Sequence, residues 1–211
     1  MGDLKSRKKI NSNGELDRLD EIYRRAAVII CEKGFDATSM SDIAEAVGIT
    51  KAGIYHYVPG KKELLYAIMS YAMDLLEIKV IAPARVITNA EQRLRLIINN
   101  HVKLIAKGSR PEGYSPLSIL TDEIAGLTKT DQRRIIARKR VYLDLVRETL
   151  EQLQAESRLK NIDVTVGAFS LFGMLLLISR WYRPDGALTS EQVAEEIGKI
   201  VFGGMLLPLE N

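Results

Sequence analysis

The residues best placed to do chemistry are basic and hydroxylic, and they crowd into "GITKAGIYHYVPGKKEL", residues 48–64. Thr50, Lys51, Tyr55, His56, Lys61 and Lys62 stand there with no acid between Glu45 and Glu63. Ammonium groups beside phenol, imidazole and hydroxyl donors suit a polyanion. The lysines supply charge, and Tyr55 and His56 can donate to phosphate oxygens. Contacts of that kind set position on a duplex more than they read bases. The small Ala52 and Gly53 would let a helix approach closely.

The rest of the chain offers little competing chemistry. It carries no nucleophile with a recognisable base, no glycine-rich phosphate loop and no metal-ligand spacing, so neither catalysis nor a metal or cofactor is expected. The single cysteine, Cys31, cannot form an intramolecular disulfide and reads as a core residue of the first helix. A formal charge of +3 is too small to be a general nucleic-acid signature, so the footprint must be local. With 46% hydrophobic and 27% charged residues the chain should fold around a sizeable core. The start, "MGDLKSRKKINSNGE", lacks the apolar centre of a signal peptide. The longest uncharged run, Val164 to Ser179, falls short of the roughly 20 residues of a membrane span. A cytoplasmic protein with no membrane partner is expected.

The elements that must hold the basic stretch are helical. Leu19, Ile22, Tyr23, Ala26, Ala27 and Ile30 repeat at helical spacing, with Gly34 as the stop. Ser39 can cap a second helix with Asp42 in a capping-box position, and Gly48 ends it. Thr50 caps a short third helix that Pro59 and Gly60 close. A fourth runs from Lys61 to about Val80, apolar on more than one face, as a connector between two bodies would be. Beyond Pro83, helical patterns fall at about 90–107, 116–126, 129–156, 162–182 and 190–206, and no stretch alternates convincingly at period two.

Two short capped helices joined through Gly48 form a helix-turn-helix, with Ala44, Val47, Ile49 and Ile54 packing inward. Helix starts near Thr38 and Lys61 would add backbone N–H groups for phosphate.

Residues 20–66, with "G-F-x-A-T-S", "D-I-A-E-A-V-G-I-T-K" and "I-Y-H-Y-x-x-x-K-K-E-L", resemble the N-terminal DNA-binding domain of the TetR/AcrR family of transcriptional repressors. The resemblance implies an all-α, dimeric, ligand-responsive repressor: an N-terminal three-helix helix-turn-helix domain on operator DNA and a C-terminal helical domain for ligand binding and dimerisation. Its DNA contacts carry over to Thr38, Thr50, Lys51, Tyr55, His56 and Lys61, with Ala52 and Gly53 on the same surface. Val58 departs from the family's common Phe, and Ala52 precedes rather than follows the helix's glycine. The expected division is a flexible arm at 1–15, the reading head at 16–62 and the body at 63–211. A helical ligand-binding protein or adaptor without sequence-specific DNA binding is the alternative.

In the body, "VTVGAFSLFGMLLLIS" suits a helix buried against both its own domain and a partner copy, and "EQVAEEIGKIVFGGM" carries a stripe at Val193, Ile197 and Ile200. The last two helices are therefore expected to form a homodimer. His101 lies on the inward stripe Leu94, Ile97, Ile98, Ile105, as a hydrogen-bonded core residue or a ligand contact. Arg133, Arg134, Arg138, Lys139 and Arg140 form a solvated face or a phosphate-binding one. "SRWYRPDGALTSEQVAEEIGKIVFGGM" is similar to the C-terminal end of TetR-type regulators of fatty-acid and related degradation, which implies an acyl-CoA effector. The candidate ligand contacts are His101, Tyr114, Arg138, Tyr142, Phe169 and Trp181.

Overall fold

A computed structural model describes residues 3–108 and 116–208, and among them every regular element is helical. The order is α1 Asp3–Lys33, α2 Met40–Val47, α3 Lys51–Ile54, α4 Lys61–Leu76, α5 Ala82–Arg85, α6 Ala90–Gly108, α7 Ile119–Asp122, α8 Lys129–Ala155, α9 Val164–Trp181 and α10 Ser190–Met205.

The head forms as its caps dictate. Ile22, Ala26, Ala27 and Ile30 of α1 are buried, and each fully buried isoleucine contributes about 2 kcal/mol. Gly34, at φ 83°, takes the left-handed turn that ends this helix. Ser39 and Asp42 make the reciprocal capping box, and hydrogen bonds from Ser39 hold the Asp42 carboxyl below its ordinary pKa. Gly48, at φ 74°, closes α2. Arg25 then donates to the Ala46 carbonyl at 3.1 Å, which fixes the end of α2 on α1. α1 begins at Asp3, within the stretch expected as an arm.

The connector is longer than its composition suggests. α4 passes through a π-turn at Glu77–Ile81 straight into α5, so Pro83 does not stop it. Proline's missing N–H would orphan the Lys79 carbonyl. Asn100 of α6 fills that gap, donating from Nδ2 at 2.9 Å. The pattern at 116–126 is not one helix either: it divides into a turn, the single turn of α7 and a 3-10 turn at Ile124–Gly126. Thr128 caps α8 by accepting from the Asp131 N–H at 3.2 Å.

α6 lies at the centre of the body, packed against α8, α9 and α10, and α4 joins it through α8 and α6. α9 is long and apolar enough to cross a membrane by length and composition. Its inner stripe, Leu171, Leu175 and Ile178, is buried in this core.

Candidate functional site

Two surfaces need explanation, one on the head and one inside the body. On the head, Thr50 accepts from the Gly53 N–H at 3.0 Å, which starts α3 immediately after the turn. Ile54 and Val58 point inward, buried one helical turn apart. Val58 thus keeps a core position despite its small size. Lys51, Ala52, Tyr55, His56 and Tyr57 are left exposed along one side. A Cβ at Gly53 would lie 3.1 Å from the Thr50 hydroxyl oxygen, so the glycine makes room for the cap as well as for a close surface.

Thr38 and Lys61 are not on that surface. The Thr38 side chain is buried, and its hydroxyl donates back to the Gly34 carbonyl at 2.8 Å. Lys61 turns under the head: its ammonium donates to the carbonyls of Phe35 (2.7 Å), Thr38 (2.8 Å) and Asp36 (3.3 Å) and sits 4.3 Å from the centre of the Phe35 ring. It ties the α1–α2 loop to the start of α4. The polar atoms of both side chains are thus engaged within the fold of the head.

A contrast follows. Lys61→Met should cost about 2 kcal/mol, because charged hydrogen bonds to several carbonyls vanish, and lower the melting temperature by roughly 4–8 °C. Lys51→Glu should leave melting unchanged while weakening duplex binding about tenfold or more. Calorimetry and anisotropy titrations on the two variants separate the roles.

In the body, α4, α6, α7, α8 and α9 enclose a cavity of about 430 Å³. Its wall is largely apolar, from Met73, Leu76, Ile136, Leu143, Phe172 and Leu176. Polar groups are few. Lys139 and Arg140 line it from α8, and Thr121 from α7. His101 and Tyr142 stand side by side in its wall, with Nδ1 and the phenol oxygen 2.9 Å apart and Phe172 edge-on to Tyr142 at 4.9 Å. Burial lowers the His101 pKa to about 4 and pushes the Tyr142 phenol far up, so both are neutral across the physiological range.

Of the expected ligand contacts, His101, Tyr142 and Phe169 meet at this cavity, Phe169 at its rim, where it is also exposed. Arg138 is not among the lining residues. It reaches α4 instead, donating to Asp74 Oδ1 at 2.6 Å and to the Ser70 carbonyl at 3.2 Å. Arg140, two residues on, takes the lining position because α8 buries Ile135, Tyr142 and Val146 and so fixes its own rotation. Trp181 ends α9 in solvent, away from the cavity. Tyr114 lies outside the described residues. Among the described residues no cluster of His, Cys, Asp or Glu could hold a metal ion.

A third feature is apolar and outward. α9 exposes Val166, Phe169, Leu177 and Trp181 along one side, with Gly173 between them, and α10 exposes Ile200, Gly203 and Gly204. Contiguous apolar surface of this kind marks a protein contact.

Comparison with known proteins gives matches to both parts of the chain. Residues 22–68 match "Bacterial regulatory proteins, tetR family", and residues 88–205 match "Tetracyclin repressor-like, C-terminal domain". The structure is similar to that of AibR in complex with isovaleryl coenzyme A and operator DNA, with 39% identity, TM-score 0.76, and 88% of this chain and 98% of that one covered. In sequence it is 25% identical over 200 residues to the HTH-type transcriptional repressor KstR2 of Rhodococcus jostii (strain RHA1), covering 94% of this chain and 96% of the relative. It is also 21% identical over 188 residues to the fatty acid metabolism regulator protein of Bacillus subtilis (strain 168), covering 88% and 94%.

Proposed function

The chain belongs to the TetR family of bacterial regulatory proteins, and on that footing we propose a homodimeric transcriptional repressor that leaves its operator DNA when an acyl-CoA occupies the body. Residues 16–62 form the reading head and 63–211 the effector and dimer domain. Thr50, Lys51, Ala52, Gly53, Tyr55 and His56 face the duplex. The protein works by binding and release rather than turnover, in the cytoplasm, where its DNA is.

The cavity carries this reading. An apolar interior takes the acyl chain, and the basic edge at Lys139 and Arg140 meets the phosphates of coenzyme A. The similarity to a protein seen with isovaleryl coenzyme A and operator DNA supports the same pairing of ligand and partner.

The mechanism is a population shift, in which the effector favours a form whose two heads are spaced wrongly. α7 gives the shift a path. Leu120 and Thr121 line the cavity, and Lys139 donates to the Leu120 carbonyl. Three residues on, Glu123 accepts from the Phe35 N–H at 3.4 Å, so the same segment leans on the head. α4 runs beside it as the lever.

An operator can be isolated by selection from random duplexes and titrated by fluorescence anisotropy. Saturating isovaleryl-CoA should weaken binding at least tenfold, within the usual range of coupling between sites, while free isovalerate leaves it unchanged. If no acyl-CoA, short or long, shifts the affinity, the effector reading fails. If no duplex is bound in a salt-dependent way, the adaptor alternative takes its place.

A further inference from the structure

The His101–Tyr142 pair fixes where a proton sits. Tyr142 is buried, and among the described residues its hydroxyl has one protein partner, the Nδ1 of His101. A buried phenol proton without an acceptor costs about 1–3 kcal/mol, so the phenol donates and Nδ1 accepts. The proton of the neutral imidazole then stands on Nε2. That Nε2 is buried and, among the described residues, meets no protein acceptor. A ring among the residues that line the cavity therefore carries one unsatisfied N–H, closed within the wall, which a ligand reaches by parting its neighbours.

We propose that His101 Nε2–H, held in this tautomer by Tyr142, is the donor that recognises a neutral carbonyl oxygen on the effector. The inference rests on the acyl-CoA reading and deepens it: the site selects an acyl thioester, or a ketone of the same shape, over an alkane or a free carboxylate. A carboxylate would have to shed its water among Met73, Leu76 and Phe172. With burial holding the His101 pKa at about 4, the ring brings no positive charge to repay that loss, and the cations of the same lining, Lys139 and Arg140, are assigned to the coenzyme A phosphates. A carbonyl carries no such penalty and satisfies the donor. Sites built to hydrogen-bond one ligand group discriminate strongly against analogues that lack it.

The test is calorimetric titration of the full-length protein with isovaleryl-CoA and with its thioether analogue, in which a methylene replaces the carbonyl. The wild type should bind the thioester at least tenfold more tightly. His101→Asn, whose amide reaches the Nδ1 position and keeps a partner for Tyr142, should abolish that preference. His101→Gln, whose amide reaches the Nε2 position, should retain part of it. Equal wild-type affinities, or a full preference in the Asn variant, would overturn the proposal.

Nitrogen-15 NMR of the free protein needs no ligand and no variant of His101. The chain has two histidines, His56 and His101, so a His56→Ala sample assigns the second signal. An Nδ1–H tautomer at His101 overturns the proposal whatever the titrations show. If neither CoA compound binds, the acyl-CoA reading falls separately, and a methyl ketone against the matching alkane then decides the carbonyl preference: equal affinity for the two sinks it.

Discussion

Replacing Leu177 and Ile200 together by glutamate should leave a folded monomer that has lost its operator. Both side chains lie on the outer faces of α9 and α10 and are more than half exposed, at 51% and 63%. Neither belongs to the core, so melting should change little beyond the loss of dimer coupling. In a two-fold seam each residue is used twice, and four carboxylates would be forced into an apolar contact. Sedimentation should report the mass of one chain. The operator consequence is larger than any single phosphate contact. Two heads held at a fixed spacing, about 34–36 Å or a multiple along the duplex, bind as one ligand. Separating them removes an effective concentration typically worth 10²–10⁴-fold in affinity. A dimer that persists in this variant would place the seam elsewhere, and a monomer that keeps full affinity would remove the need for one.

The outward apolar faces of α9 and α10 were legible in the sequence because a charge-free helix mixing small and large residues has more apolar surface than one core can bury. The caps were equally plain. Ser39, Gly48 and Thr50 act within three residues of themselves, so their spacing along the chain is their geometry in space.

The internal hydrogen bonds of Lys61 and Thr38 were hidden for the opposite reason. Nothing local tells a lysine at a helix start whether it faces outward or bends back to carbonyls more than twenty residues earlier. The cavity shows the same limit. His101 could be seen to point inward from its stripe on α6, but its partner Tyr142 lies 41 residues away on α8. Which of Arg138 and Arg140 reaches the cavity depended on the rotation of α8 about its axis. Buried contacts with other helices set that rotation, and α8's own pattern is too strongly charged to announce it.

The segment between cavity and head gives the second large effect. Gly126 closes the 3-10 turn after α7, and a Cβ there would fall 2.6 Å from Cδ1 of Phe35 and 2.9 Å from Cδ2 of Leu65. The Phe35 ring cannot swing aside cheaply, since it is buried and Lys61 sits over its face. Gly126→Val should therefore cost about 3 kcal/mol through overpacking, or roughly 6–12 °C of melting temperature in a chain of this size. If the chain stays folded, the strain is relieved by pushing the 3-10 turn away from the head. Because α7 also walls the cavity, the variant should bind operator weakly without effector and respond little when effector is added. Phe35→Leu in the same chain trims the ring that the new methyls strike. The double variant should then be more stable than the two single costs added together, since neighbours that share a clash are not additive. Strict additivity in melting, with operator release by effector intact, would mean that Gly126 only fills space and that the signal to the head travels through α4 alone.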